Sequence, residues 1–258
     1  MTDDPALPNG LDQASAPSLW EQHATWWQDE FTDGADPEYE EQILPLAAQL
    51  LAGYGRVLDL GAGEGQIARL IAGDGVDVTG VDPTWSQMRV AHERGGGPSY
   101  AVAGAAELPH PDNIFDAVVA CLVFEHIDPL ESAVAEVARV LRPGGRFAFF
   151  LNHPLLQTPG SGWIDDHMVD PPEQYWRLGE YLVETSTVEQ VQRGVFIPFV
   201  HRPLSRYVNT LAQHGLIIRE LHEPGPPQGF LDKSPSYTAA SAIPRLLVLV
   251  CSLEEARP

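Results

Sequence analysis

The chain has 258 residues, 44% of them hydrophobic and 20% charged, with 23 glycines and 23 prolines. That suits one globular domain burying roughly three quarters of the surface its unfolded chain would expose, and it excludes a fibrous or mainly disordered protein. Fifteen Lys and Arg face 36 Asp and Glu, a formal charge of −21, and Lys233 is the sole lysine. Such a surface repels a phosphate backbone and an anionic bilayer, so charge argues against nucleic acid and membrane as partners.

Cys121 and Cys251 sit inside apolar runs, where thiols behave as small core groups, and two of them make no disulfide framework. The first residues are acidic and proline-bearing, without a basic and apolar leader, and no run reaches the ~18 apolar residues of a membrane span. The expectation is a cytoplasmic protein.

Residues 1–17, with Asp3, Asp4 and scattered Pro, Ser and Asn, read as a flexible tail. The first 41 residues hold eleven acidic side chains and no Lys or Arg, which reads as a solvated face. Ser18 and Glu21 form a capping box opening a helix over 19–31, whose Trp20, His23, Trp26, Trp27 and Phe31 are too much aromatic surface to leave wet. Either they pack on the domain or they cover a ligand.

Helices and strands then alternate. A helix over 39–51 leads through Gly53 and Gly55 to a strand over 56–60, then a helix with Ile67, Leu70 and Ile71 on one face. A strand over 76–81 precedes a helix over 83–93, ended by Gly95, Gly96 and Gly97; strands follow over 100–103 and 115–122. Asp128 caps the next helix, with Pro129 at its first position, Glu131 completing the box, and Leu130, Ala133, Val134, Val137, Ala138 and Leu141 on one face. Pro143, Gly144 and Gly145 stop it, and 147–151 is apolar on both faces, as a central parallel strand requires. Residues 152–202 lack helical period, though 181–191 and 195–200 can pair as a hairpin around Gly194. Leu204, Tyr207, Val208, Leu211 and Ala212 form a last helix stripe, before strands over 217–221 and 245–252. Strand and crossover helix repeated in this way give an α/β, doubly wound, mostly parallel sheet, with ligands at the carboxyl ends of its strands.

The chemistry concentrates where Val57-Leu58-Asp59-Leu60-Gly61-Ala62-Gly63-Glu64-Gly65 runs from a strand through three alternate glycines into a helix. Missing Cβ atoms let the backbone turn sharply and approach a ligand. A nicotinamide dinucleotide fingerprint needs its third glycine at position 66, which is Gln66, so the spacing argues against a pyrophosphate. Asp82 ends the second strand and can accept both hydroxyls of a ribose.

These residues resemble the class I S-adenosylmethionine-dependent methyltransferases, of the methyltransferase-11-like, small-molecule type. Residues 57–65 look like the family's first motif, Gly80-Val81-Asp82-Pro83 like its second-strand acid, Ala106-Glu107-Leu108-Pro109 with Phe115-Asp116 like the adenine-side loop, and Leu141-Arg142-Pro143-Gly144-Gly145 like the turn before the fifth strand. The resemblance implies a Rossmann-like sheet of seven strands with the last antiparallel, S-adenosyl-L-methionine as cofactor, and Asp59, Gly61, Ala62, Gly63, Gly65, Asp82, Pro83, Ala106, Glu107 and Cys121 around it. Two departures matter: Ala105 stands where many members carry an acid for the adenine amino group, and Cys121-Leu122-Val123-Phe124-Glu125-His126 replaces the Asn-Pro-Pro-aromatic signature of many nucleobase and protein N-methyltransferases. The second points to a small-molecule acceptor.

On this basis the expected function is methyl transfer by in-line displacement, within one methyltransferase domain over 18–258: core 39–151, lid insertion 152–202, and a C-terminal helix and strands over 203–253. His126 and His153 are the candidate proton acceptors, and Trp20, Trp27, Asn152 and Tyr181 the candidate acceptor contacts; each could instead make only local bonds or pack. Asp59 either braces the glycine loop or touches ligand. Asp165, Asp166 and His167 are poorly spaced for one ion, so no metal is expected. Competing readings are a cofactor-binding module without turnover, an RNA methyltransferase, disfavoured by charge, and a nicotinamide oxidoreductase, disfavoured by Gln66.

Overall fold

The structure, a computed structural model, describes residues 16–233 and 240–254; residues 1–15 of the expected tail lie outside them. A seven-stranded sheet runs in the order β10-β11-β5-β4-β1-β2-β3. Its parallel centre is β1 (Arg56–Leu60), β2 (Asp77–Asp82), β3 (Ser99–Val102), β4 (Phe115–Cys121) and β5 (Leu141–Asn152). β11 (Leu246–Leu253) lies antiparallel between β5 and β10 (Leu216–His222), as the resemblance implied.

Period-two alternation divides the apolar side chains between the two faces of the sheet. Leu58, Val118, Ala120, Phe147, Phe149, Leu247 and Leu249 pack on α5 (Leu130–Val140) and α6 (Leu204–Gln213). Val57, Ala117, Val119, Ala148, Phe150, Val248 and Val250 pack on α2 (Leu44–Leu51) and α3 (Gln66–Ile71). β4 and β5 therefore read as continuous apolar runs, because both of their faces are covered. α4 (Trp85–Arg94) follows β2, and a single 3₁₀ turn, Phe124–His126, follows β4. Phe124 fixes that turn from below, wedged against Phe149 at 4.6 Å and Phe147 at 6.1 Å.

Several local expectations are corrected. α1 spans Ala16–Phe31, so residues 16 and 17 are helical and Ser18 falls inside the first turn; Glu21 faces α4 instead, accepting the Ser86 amide at 3.2 Å. The helix expected over 39–51 begins as a π-turn, Tyr39–Ile43, before α2, because Pro45 has no N–H to continue an α-helical ladder. Asp128 does not cap α5: Pro129 is its N-cap without a side-chain bond, and Glu131 pairs with Arg206. α5 ends at Val140, and residues 142–145 are absorbed as a register shift at the start of β5.

The insertion after β5 holds two hairpins. β8 (Thr185–Gln192) and β9 (Val195–His201) pair around Gly194 as expected, while β6 (Gly162–Asp166) and β7 (Glu173–Arg177) were not anticipated. A short α7 (Gln228–Lys233) was also missed. Among the described residues no helix is long and apolar enough to cross a membrane, and no group of three His, Cys, Asp or Glu side chains gathers to hold a metal.

Phe149→Ala should remove the wedge beneath the Phe124–His126 turn and lower unfolding stability by about 3–5 kcal/mol, the usual cost of emptying a buried phenylalanine site. Urea unfolding followed by circular dichroism measures it, and an unmoved midpoint would contradict this packing.

Candidate active site

β1 delivers the chain into residues 61–65, and two of these positions require glycine. Gly61 has φ +74° and a Cβ there would overlap Val123; Gly65 has φ +85° and a Cβ would overlap the Tyr100 ring. The amides of Gly61 and Ala62 both donate to Val81 O, at 2.8 and 2.9 Å, which ties the loop to the end of β2. There Asp82 receives the Gly63 amide on Oδ2 at 3.1 Å and the Thr84 amide on Oδ1 at 2.8 Å. Burial raises the Asp82 pKa and these donors partly oppose the rise.

Asp59, 2% exposed, takes the Ala68 amide of α3 while its Oδ2 has no protein partner. Burial pushes its carboxyl up to about 7. Asp59 thus braces the loop and also keeps an unsatisfied oxygen. Glu64, 1% exposed, is held by Arg69 at 2.5 Å and Arg94 at 2.6 Å, pinning the loop to α3 and α4.

Over this floor lies a cavity of about 440 Å³. α1 roofs it: Glu21 and Gln28 bond to Ser86 and Gln87 of α4, and Trp27, Phe31 and Tyr39 pack together, Trp27 stacking on Phe31 at 4.3 Å. The Trp27 indole Nε1 would be 3.7 Å from a Cβ on Gly63, so the roof rests close on the loop. Four carboxylate residues, Asp59, Glu64, Asp82 and Asp128, line the cavity, and no Lys or Arg does so among the described residues. Leu122, which also lines it, holds φ +54°, a left-handed conformation costing a β4-end leucine about 1–3 kcal/mol.

Of the residues the sequence singled out, the cavity gathers Trp20, Trp27, Asp59, Gly61, Ala62, Gly63, Asp82, Pro83, Ala106, Cys121 and His126. Gly65 stays behind it as the N-cap of α3, and Glu107 is exposed outside it. The other three expected contacts are engaged elsewhere. His153 accepts the Leu155 amide on Nδ1 at 3.2 Å and donates from Nε2 to Glu223 at 2.8 Å, away from the cavity. Asn152 donates its amide and side chain to Glu125 Oε1, at 3.1 and 2.8 Å. Tyr181 accepts the Leu204 amide on its hydroxyl at 2.9 Å, at the start of α6. The carboxyl end of β5 points toward the insertion and α7, so residues just past it miss the cavity.

Four side chains escaped the sequence reading. Tyr39 and Thr32 line the cavity because the chain after α1 folds back beneath it. Glu125 is buried, and burial pushes its carboxyl up to about 7; an acid at the end of an apolar run was the available signal. Arg202, 3% exposed, donates to three carbonyls of the turn after β4: Phe124 O at 3.0 Å, and Ile127 O and Asp128 O at 2.7 Å. Nothing in linear order links position 202 to that turn.

A family model described as a methyltransferase domain matches residues 58–149. The chain is 39% identical over 128 residues to an uncharacterised methyltransferase of Mycobacterium tuberculosis, covering 50% of this chain and 49% of that protein. It is 33% identical over 194 residues to the 27-O-demethylrifamycin SV methyltransferase of Amycolatopsis mediterranei, covering 70% and 66%. The chain spans about half the length of the mycobacterial protein and of several other curated relatives it matches. The crystal structure of an S-adenosylmethionine-dependent methyltransferase from Mesorhizobium loti superimposes with a TM-score of 0.69 at 24% identity, covering 81% of this chain and 95% of that one, which shows a common fold. The glycine loop and the β2 acid lie within residues 58–149, which match the methyltransferase domain, and the sheet has the fold of the S-adenosylmethionine-dependent methyltransferase it superimposes on.

Proposed function

We propose that this protein moves the methyl group of S-adenosylmethionine to a small, largely apolar acceptor held beneath α1 and the β8–β9 hairpin, releasing S-adenosylhomocysteine. The observation that carries this reading is the charge of the cavity. Asp82 and Asp128 line it, Asp59 can ionise there when a cation binds, Glu64 is already met by Arg69 and Arg94, and no Lys or Arg among the described residues lines it, which favours a net cationic nucleoside and gives a pyrophosphate no counter-ion.

The residues present fit that nucleoside. Asp82 spends one acceptor position of each oxygen on the Gly63 and Thr84 amides, leaving a second on each for the ribose hydroxyls. Asp59 Oδ2, buried without a partner, suits the ammonium group of the amino-acid end. Pro83 and the backbone of residues 103–106 offer a slot for the adenine, and no acidic side chain stands at Ala105. When bound, the cofactor supplies an electrophilic methyl on sulfonium sulfur, an excellent leaving group. The protein's own task is then positioning and exclusion of water. Holding the reacting groups in line contributes roughly 7–11 kcal/mol to such reactions, and the Trp27, Phe31 and Tyr39 rings attract a cation while keeping solvent out.

A small acceptor follows from the enclosure: α1 and the hairpin are joined by His23 Nε2 accepting the Phe196 amide at 3.3 Å and by Trp26 bonded to Gln192 at 2.6 Å. With a net charge of −21 the surface offers a nucleic acid nothing. The rifamycin-named relative is consistent with an acceptor of this class. One methyltransferase domain, with residues 39–151 as core and 152–202 as cover, is the organisation that goes with this reading.

Incubation with methyl-labelled cofactor and a metabolite extract, followed by mass spectrometry, should show label entering a small molecule; label found only in nucleic acid or protein would overturn the acceptor class. Asp82→Ala should weaken S-adenosylhomocysteine about tenfold to a hundredfold in titration calorimetry, the loss of one or two charge-assisted bonds. Undiminished affinity would remove Asp82 from the ribose site.

Asp59 adds a pH signature. Its carboxyl is raised from 3.8 to about 7, so the ligand-free folded state prefers it protonated and loses stability, relative to the unfolded chain, as pH rises through that window. Asp59→Asn should therefore gain in melting temperature on the parent between about pH 4 and pH 7 while binding the nucleoside less tightly. Parallel melting curves across the window would contradict the burial argument.

A further inference from the structure

Resting on the cofactor reading above, we propose that His126 is the general base for a hydroxyl acceptor, so that the reaction is an O-methylation, and that the β8–β9 hairpin prepares this base by fixing its tautomer. His126 belongs to the one-turn segment after β4 and lines the cavity. Its Nδ1 lies 2.7 Å from the carbonyl oxygen of Pro198 in β9. A carbonyl can only accept, so Nδ1 carries the hydrogen and Nε2 keeps its lone pair. No protein group among the described residues bonds Nε2. The ring itself cannot turn away, because Trp20 of α1 meets it edge-on at 4.9 Å and Phe199 of β9 packs against it at 4.7 Å.

The hairpin acts on the turn as well as on the ring. Arg202, at the end of β9, gives its guanidinium to Phe124 O, Ile127 O and Asp128 O, which are the carbonyls on either side of His126. One strand thus sets the backbone of the turn, the rotamer of the histidine and the identity of the free nitrogen.

Burial pushes His126 down to about 4, which keeps the imidazole neutral and able to accept a proton. Its surroundings are Trp20 from α1, Pro198 and Phe199 from β9, Glu125 in its own turn, engaged with Asn152, and Asp128 on the cavity wall. A base so depressed is weak in isolation. In this reaction it is not asked to create charge. The acceptor oxygen forms the O–C bond with a lone pair as the C–S bond breaks and leaves its electrons on sulfur, while the hydroxyl proton passes to Nε2. The cavity holds one positive charge before the step, on sulfur, and one after it, on imidazole, so the desolvation that lowers the free histidine's pKa has a counterpart on the reactant side. The imidazolium then gives its proton to solvent as the methyl ether leaves. An amine acceptor already has a lone pair free at neutral pH; a hydroxyl gains most from a base placed here.

The test uses the full chain, labelled with ¹⁵N-histidine and saturated with S-adenosylhomocysteine, the His126 signals being assigned by their absence in His126→Gln. At neutral pH the Nδ1–H tautomer with Nε2 unprotonated is expected; an Nε2–H tautomer or an imidazolium would overturn the assignment without any turnover being needed. In parallel, ¹³C-methyl cofactor is incubated with the metabolite extract, and the carbon shift of the labelled product is read. A methyl ether is expected, formed about 10²–10⁴-fold more slowly by His126→Gln with S-adenosylhomocysteine affinity unchanged. A methyl on nitrogen, sulfur or carbon, or equal rates in the two proteins, would overturn it. If the parent protein fails to bind S-adenosylhomocysteine in calorimetry, the cofactor reading falls and the base assignment with it; binding with the wrong tautomer or linkage sinks the base assignment alone.

Discussion

Two amide hydrogens given to one carboxylate tie the floor of the cavity together: that of Gly63 joins the loop after β1 to Asp82 at the end of β2, and that of Thr84 fixes the chain leaving β2. The first donor belongs to a loop that cannot carry side chains at Gly61 or Gly65, and the second opens α4. Around this joint the other contacts are arranged in tiers. Val81 O accepts two more loop amides, Glu64 is pinned by Arg69 and Arg94, and α1 closes over the top through Glu21 and Gln28. Each depends on β1 and β2 being adjacent and parallel, which the hydrophobic alternation on both faces of the sheet enforces.

The electrostatics follow from the same joint. Bringing Asp59 and Asp82 to one buried edge raises both carboxyls, with desolvation first and mutual repulsion adding for Asp59. An arrangement that costs stability in the empty protein is what a cationic ligand would relieve, since an opposite charge lowers a carboxyl that burial has raised. The acidic surface and the acidic cavity are separate facts: the first concerns which large partners can approach, the second what small ion can stay.

How much of this was legible in the sequence depends on the range of the interaction. The strands, their order of appearance, the glycine loop and Asp82 were readable because each is a local pattern: an apolar run, a residue with no Cβ, an acid at the end of a strand. Trp20 and Trp27 were readable as aromatic surface needing cover. His153 and Asn152 lie outside the cavity because proximity to a strand end in sequence says nothing of which way the chain turns next, and after β5 it turns toward Glu223 and α7; Tyr181 meets the start of α6 instead. The cap expected at Asp128 failed for a similar reason, since Glu131 found its partner in α6.

The sequence by itself determined the class of sheet, the position of the glycine loop and the acid beside it, since backbone freedom at glycine and the period of apolar residues act over a few residues and need no partner. Only the tertiary structure decided that His126 rather than His153 faces the cavity, that Pro198 O chooses its protonated nitrogen, and that Arg202 holds its turn. Those choices span more than 70 residues of chain, from His126 to Pro198 and Arg202. They rest on a carbonyl and a guanidinium whose directions are set by how the hairpin packs on α1, a matter of side-chain volume and geometry that no linear spacing encodes.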